Sequence, residues 1–305
     1  MAYIKEQRDR AIKSRDEIFN DPGFGIYNGI KWPFVLKNRP FNLWEEIKED
    51  AISYFNKYDI DWHKDRNGEP KEGPEGHLLS SNISCINHLF PLRKRQDLST
   101  FVLQNIDDRI ISAEIVDDGY VEFEIMEGKN SNPLNEKSSS RKRGSKSTSI
   151  DALMLGKKKN GNNILVLIEW KYTETYENQE CRYKSKDNYH KNYVDLLQEK
   201  DCPVTSPSDF KELFFEPYYQ LMRQTLLGWK MTELNEYGCD EYIHLHIIPS
   251  GNTILRQNII EPLNWMGLLK DPNKYKIISP DELFKPLIDK EELKPYIDYL
   301  KMRYW

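Results

Sequence analysis

Residues 149–176 read SIDALMLGKKKNGNNILVLIEWKYTETY, and the fold hangs on how this stretch pairs with itself. The apolar run Ile164-Leu165-Val166-Leu167-Ile168 continues into Glu169-Trp170-Lys171, and a second run from Asp151 to Leu155 precedes it. Between them, Lys157-Lys158-Lys159-Asn160-Gly161-Asn162-Asn163 carries Asn-Gly at its centre, a dipeptide that turns a hairpin because both residues tolerate positive φ. The stretch predicts a β-hairpin. Asp151, near the start of one strand, and Glu169-x-Lys171, near the end of the other, meet at one end of it. Side chains alternate along a strand, so Glu169 and Lys171 share a face.

Parity decides whether Asp151 joins them, because directly opposed residues of an antiparallel pair point the same way. A two-residue Asn160-Gly161 turn would set Asp151 against Trp170 and separate the carboxylates. An odd-length loop, such as Asn160-Gly161-Asn162 with Lys159 opposite Asn163, or a compensating bulge, is required. That register places Asp151 opposite Lys171, with Glu169 diagonally adjacent. It gathers Leu153, Leu155, Leu165 and Leu167 on the same face, and Ala152, Met154, Val166, Ile168 and Trp170 on the other. Two apolar faces predict a central hairpin covered on both sides.

Two carboxylates held close repel each other unless a divalent cation lies between them, and oxygen ligands suit Mg²⁺ or Mn²⁺. The backbone carbonyl of Trp170, lying between Glu169 and Lys171, is a third candidate ligand. Such a metal activates water and neutralises phosphoryl oxygens. An adjacent lysine can hold the water or stabilise charge on the phosphate. Asp151, Glu169 and Lys171 thus make a kit for phosphodiester hydrolysis. The plainer reading of any Glu-x-Lys is a strand emerging into solvent; the partner aspartate and the long apolar run weigh against it here.

The arrangement resembles the PD-(D/E)xK nuclease superfamily, with Asp151, Glu169 and Lys171 as the matching residues and residues 75–250, roughly, as the matching core. The signature proline is absent; Ser149-Ile150 precede the aspartate. A narrower resemblance is to uncharacterised prokaryotic restriction-endonuclease-like proteins. It rests on Ser80-Ser81-Asn82, Asn87-x-Leu89-Phe90-Pro91-Leu92, Thr148-Ser149-Ile150-Asp151-Ala152, Ile168-Glu169-Trp170-Lys171-Tyr172-Thr173-Glu174 and Tyr219-Gln220-Leu221-Met222-Arg223-Gln224. The resemblance implies an α/β fold with a restriction-endonuclease-like core, a mixed central sheet flanked by helices, and helical elaborations at both ends. It implies a Mg²⁺- or Mn²⁺-dependent deoxyribonuclease acting in restriction or defence, as a homodimer or with a protein partner of the same defence system. A non-catalytic nucleic-acid-binding or assembly subunit that keeps the fold is the alternative.

The remaining chain supplies secondary candidates. Residues 1–74 predict a helical and irregular cap, 75–250 the core and 251–305 a helical extension packed on it. The apolar stripe of 77–90 predicts the helix before the first strand. Runs 109–116 and 120–126 predict strands, with Glu124 a candidate to assist the site; Glu75 and Glu136 also stay open. The segment 128–148 is basic and of low complexity, and Arg141, Lys142, Arg143 and Lys146 are candidates to grip phosphates, contacts that give affinity without reading sequence. Residues 209–232 predict a long helix kinked at Pro217. On it, Gln220, Arg223 and Gln224 could face the site, although Arg223 could equally pair with a carboxylate for structural reasons. His244 and His246 share a strand face, without a third metal ligand near them in sequence.

The formal net charge of −5 over 305 residues excludes a uniformly basic nucleic-acid coat but not a local basic cleft. The cysteines, Cys85, Cys181, Cys202 and Cys239, lack zinc spacing and predict free thiols. No signal-like N-terminus or bilayer-length apolar run is present, so a cytoplasmic protein without membrane association is expected. No phosphate loop of the Walker type appears.

Overall fold

The predicted hairpin forms and becomes the middle of a mixed sheet. The computed structural model describes residues 2–62, 73–125, 133–134, 136, 143, 148–176, 189–205 and 210–305. The chain opens with α1 (Ala2–Ser14), a small hairpin of β1 (Gly25–Tyr27) and β2 (Ile30–Trp32), and helices α2 (Lys48–Lys57), α3 (Ser81–Leu89) and α4 (Gln96–Ile106). Strands β3 (Ile110–Glu114), β4 (Glu122–Ile125), β5 (Ile150–Lys158) and β6 (Asn163–Trp170) follow. Then come α5 (Tyr189–Leu197), α6 (Tyr218–Glu233), β7 (Cys239–Ile247), α7 (Thr253–Ile260), β8 (Tyr275–Ile278), α8 (Pro280–Phe284) and α9 (Lys294–Arg303).

The main sheet has six strands in the order β3-β5-β6-β7-β8, with β4 also pairing β5. β3 takes the half of β5 that runs from Leu155 to Lys158, and β4 takes the half from Ile150 to Leu153, so the two lie end to end along one edge. β5 and β6 are antiparallel, whereas β6, β7 and β8 run parallel. This is the α/β architecture of a restriction-endonuclease-like core: a mixed sheet between helices.

The hairpin has the odd loop that parity demanded. Its ladder runs from Ala152↔Ile168 to Lys157↔Asn163. The Lys158 N–H donates to the Asn162 carbonyl at 2.8 Å, which leaves Lys159-Asn160-Gly161 as the loop. The register differs from expectation by two residues: Asp151 comes opposite Glu169, not Lys171. A three-residue loop needs its last residue in the left-handed region, and Gly161, at φ +91°, fills that place rather than Asn162.

Each sheet face meets its own apolar layer. Ala152, Met154, Val166, Ile168 and Trp170 pack with α2, α3, α4, α8 and α9 through residues such as Phe55, Ile86, Val102, Phe284 and Leu300. Leu153, Leu155, Leu165 and Leu167 pack with α6 and α7 through Leu221, Leu227, Leu255 and Ile259. N-terminal and C-terminal elements therefore share one apolar layer on the first face. Residues 251–305, expected as a helical extension, also contribute a strand, β8, which binds β7 from His244↔Tyr275 to Ile247↔Ile278. Tyr275-Lys276-Ile277-Ile278 was too short an apolar run to separate from the helical pattern around it. Cys85, Cys202 and Cys239 are free and buried; Cys181 lies outside the described residues. Among the described residues no helix is long and apolar enough to cross a membrane.

Candidate active site

The ladder brings three carboxyl groups to one end of the sheet. Continuing β5–β6 by one pair past Ala152↔Ile168 sets Asp151 against Glu169. On the other side of β5, the pairs Phe123↔Ala152 and Ile125↔Ile150 bracket Glu124 opposite Asp151. Glu124 sits at φ +52°, a backbone region that costs a non-glycine residue free energy and is often kept where a site requires it. Regular alternation lapses there: Phe123 joins one apolar layer and Ile125 the other.

Lys171 completes the group. Its Nζ donates to Glu169 Oε1 at 2.6 Å, and both side chains are buried. Between them, the Trp170 N–H donates to Asp151 Oδ2 at 2.7 Å. The Trp170 indole faces the opposite layer and donates to Ser84 Oγ on α3 at 3.1 Å, which pins the backbone between the two site residues.

The charges do not balance, with one ammonium beside three carboxyls. Burial, then repulsion from Glu169 and Glu124, lifts Asp151 well above the usual carboxylate range, against partial relief from Lys171 and the Trp170 amide. Burial and Glu169 push Glu124 up to about 7, though Asn82 Nδ2 donates to its Oε1 at 2.6 Å. Burial opposes the charge of Lys171, but Glu169, Tyr176, Glu174 and Asp151 outweigh it and hold the ammonium.

Helix α6 roofs the site. Gln220 Nε2 donates to Glu169 Oε1 at 2.9 Å, and Gln224 Nε2 donates to Glu169 Oε2 at 2.5 Å and to the Ser149 carbonyl at 3.0 Å. Gly228, one further turn along the same stripe, has no room for a Cβ, which would lie 2.6 Å from Leu167 Cδ1 and 2.8 Å from Tyr242 Cδ2. Its bare backbone lets α6 come close enough to the sheet for the two glutamines to reach Glu169. Behind them, Gln224 Oε1 lies 3.2 Å from His244 Nε2, whose Nδ1 lies 3.0 Å from Thr225 Oγ1. Burial lowers His244 to about 3, and His246 falls well below its usual value for the same reason with His244 and Lys171 beside it. Both imidazoles are neutral, and the pair is a back wall of the site.

The other sequence candidates fall in different places. Glu136 accepts from the Thr148 N–H at 2.8 Å and from the Thr148 and Tyr193 hydroxyls. Glu75 accepts from the Ser80 hydroxyl at the start of α3. Arg223 Nε donates to Thr148 Oγ1 at 2.8 Å, three residues before Asp151, so it borders the site without touching its carboxylates. Arg143 turns inward: it binds the Phe123 carbonyl, stands 3.1 Å from Asp117 Oδ2 and donates to the Tyr54 hydroxyl at 2.8 Å. Acceptors inside the fold take its donors, in contrast to the phosphate contact expected from the basic run. Arg141, Lys142 and Lys146 lie outside the described residues. Sequence reasoning noted Asn82 only within a family motif and missed Gly228 and the role of His244. The spacing Gln220, Gln224, Gly228 was a legible signal for a helix stripe lying on the sheet.

Residues 13–305 match the family described as restriction endonuclease associating with ARP. The chain belongs to this family. No curated protein and no solved structure shows significant similarity. Family membership makes the protein restriction-endonuclease-like.

The donor set fits a hard divalent cation on chemical grounds. Excess negative charge at Asp151 and Glu124 is what an ion would relieve. No described residue donates to Asp151 Oδ1. Among the described residues no three His, Cys, Asp or Glu side chains form a metal-holding cluster. Asp151 and Glu169 would therefore hold such an ion with the Trp170 carbonyl and water, as Mg²⁺ commonly requires.

Proposed function

We propose that this chain is a metal-dependent endonuclease of the PD-(D/E)xK type that hydrolyses phosphodiester bonds in DNA. The observation that carries the reading is Asp151 opposite Glu169, with Lys171 bonded to Glu169 at 2.6 Å. When bound between the two carboxylates, Mg²⁺ or Mn²⁺ would supply charge neutralisation and Lewis acidity.

The chain's own residues do the rest. Hydrolysis forms a bond from water oxygen to phosphorus and breaks the bridging P–O bond, whose oxygen leaves with a proton. Lys171 Nζ has donors beyond the one given to Glu169, and it positions the water or stabilises charge on the phosphoryl oxygens. Gln220 and Gln224 fix the plane of the Glu169 carboxylate, and His244 fixes Gln224. Asn82 orients Glu124, the third carboxyl. Trp170, locked by Ser84, keeps Glu169 and Lys171 on one rigid strand end, the precision that catalysis needs.

The family's description couples it to a protein called ARP, and we propose that the chain acts together with such a partner in restriction or defence. Intact Asp151, Glu169 and Lys171 disfavour a purely structural subunit. The test is nicking of supercoiled plasmid in Mg²⁺ or Mn²⁺, with Asp151→Asn and Glu169→Ala alongside. The reading predicts metal-dependent nicking by the wild type and none by either variant. Equal nicking by all three would remove the site, and no nicking by the wild type with or without its partner would favour the subunit reading.

A further inference from the structure

The proposed site leaves one strongly basic group beside it without a role. Arg223 is fixed along one edge and one face. Its Nε donates to Thr148 Oγ1 at 2.8 Å and lies 3.9 Å from Glu136 Oε1. The guanidinium carbon stands 4.9 Å from the centre of the Tyr219 ring. These contacts set the plane of the group. Among the described residues nothing accepts a hydrogen bond from Nη1 or Nη2, and 22% of the side chain remains exposed. The result is an oriented, permanently charged fork with its outer edge open.

Its position relates it to the reaction. Thr148 leads into β5 three residues before Asp151. Arg223 lies between Gln220 and Gln224, the two residues of α6 that hold Glu169. The helix that positions Glu169 therefore also carries the fork onto the segment that leads into Asp151. A guanidinium with two parallel N–H groups available matches a pair of anionic phosphate oxygens. Arg143 is no substitute, since its donors are spent on Tyr54, Asp117 and the Phe123 carbonyl.

We infer that Arg223 is a phosphate-binding residue that grips a backbone phosphate of the DNA strand entering the Asp151–Glu169 site. The inference rests on the nuclease reading of that site and adds to it a named contact with substrate. Such a contact contributes affinity without base recognition, and it fixes where the strand lies relative to the carboxylates.

Binding of a short fluorescein-labelled DNA duplex, followed by anisotropy in Ca²⁺ over a range of KCl concentrations, tests it. Wild type, Arg223→Gln and Arg223→Lys are compared, with melting temperature and plasmid nicking measured on each. Losing one phosphate contact should weaken binding by Arg223→Gln several-fold and flatten the log–log salt slope by about 0.9. Arg223→Lys keeps the charge, so it should keep most of the slope while losing the two-pronged fit. Both variants should melt close to wild type. A wild type that nicks plasmid while Arg223→Gln binds with unchanged affinity and slope overturns the inference and leaves the nuclease reading standing. Weakening that tracks an equal fall in melting temperature in both variants makes Arg223 a packing residue and also overturns it. A wild type that neither binds nor nicks overturns the nuclease reading, and the inference with it.

Discussion

Asp151 faces Glu169 across the β5–β6 ladder, and the N–H of Trp170 donates to Asp151 Oδ2 at 2.7 Å. The spacing of the two carboxylates is therefore set by backbone pairing. Asp151→Asn removes one charge and keeps an acceptor for the amide. Its Mn²⁺ affinity should fall at least about tenfold, as loss of a ligand does, when followed by calorimetric titration. In EDTA the same variant should melt higher than wild type, because a repulsive buried charge has gone. Mn²⁺ binding equal to wild type would show that the pair holds no metal.

Gln224 connects four groups with one amide: Glu169, the Ser149 carbonyl and, through its oxygen, His244 backed by Thr225. Gln224→Leu keeps the volume and removes every bond. A buried carboxylate oxygen and a carbonyl then lose a donor, at a cost of about 1–3 kcal/mol. Urea denaturation reads that loss. Glu169 also loses its orientation, so single-turnover nicking should fall about 10–100-fold. Full activity together with full stability would mean that the glutamine is a bystander.

The hairpin and its faces were legible because period-2 alternation and Asn160-Gly161 act locally. Parity alone required an odd loop. The two-residue difference in register was not legible, since it depended on which of Gly161 and Asn162 takes the left-handed position. Glu124 could be nominated as a site residue, but its place opposite Asp151 depends on a positive φ that no pattern in Glu122-Phe123-Glu124 signals. Gly228 was invisible as a site determinant because its effect is the closeness of α6 to Leu167 and Tyr242, a tertiary fact. The inward turn of Arg143 was illegible for a similar reason. Composition grouped it with Arg141, Lys142 and Lys146 in a basic run, while Asp117, Glu122 and Tyr54, distant in sequence, supply acceptors that draw it inward.

That difference gives a prediction within one short segment. Arg143→Gln breaks ion pairs to Asp117 and Glu122 whose members are largely buried. Removing one partner of such a network costs about 2–4 kcal/mol, slightly less than for a fully buried pair. Chemical denaturation of wild type and Arg143→Gln reads that loss. Stability equal to wild type would mean that Arg143 makes no buried ion pair.

Glu124 gives the metal-free protein a pH-dependent stability of a definite sign. Its carboxyl stands at about 7 in the fold, raised by burial and then by Glu169, against 4.5 for the ordinary group. Between those values the native state binds more protons than the unfolded chain, so stability falls as pH rises. The favourable contribution is complete below about pH 4.5 and is lost by about pH 7, at no more than about 1.4 kcal/mol per pH unit. Melting temperatures in EDTA should therefore decline from pH 5 to pH 7 relative to Glu124→Gln, which has no proton to lose. Saturating Mg²⁺ should diminish the decline, because a cation near Asp151 and Glu169 favours the ionised carboxyl. Parallel curves for wild type and Glu124→Gln in EDTA would place Glu124 outside the electrostatic field of the site.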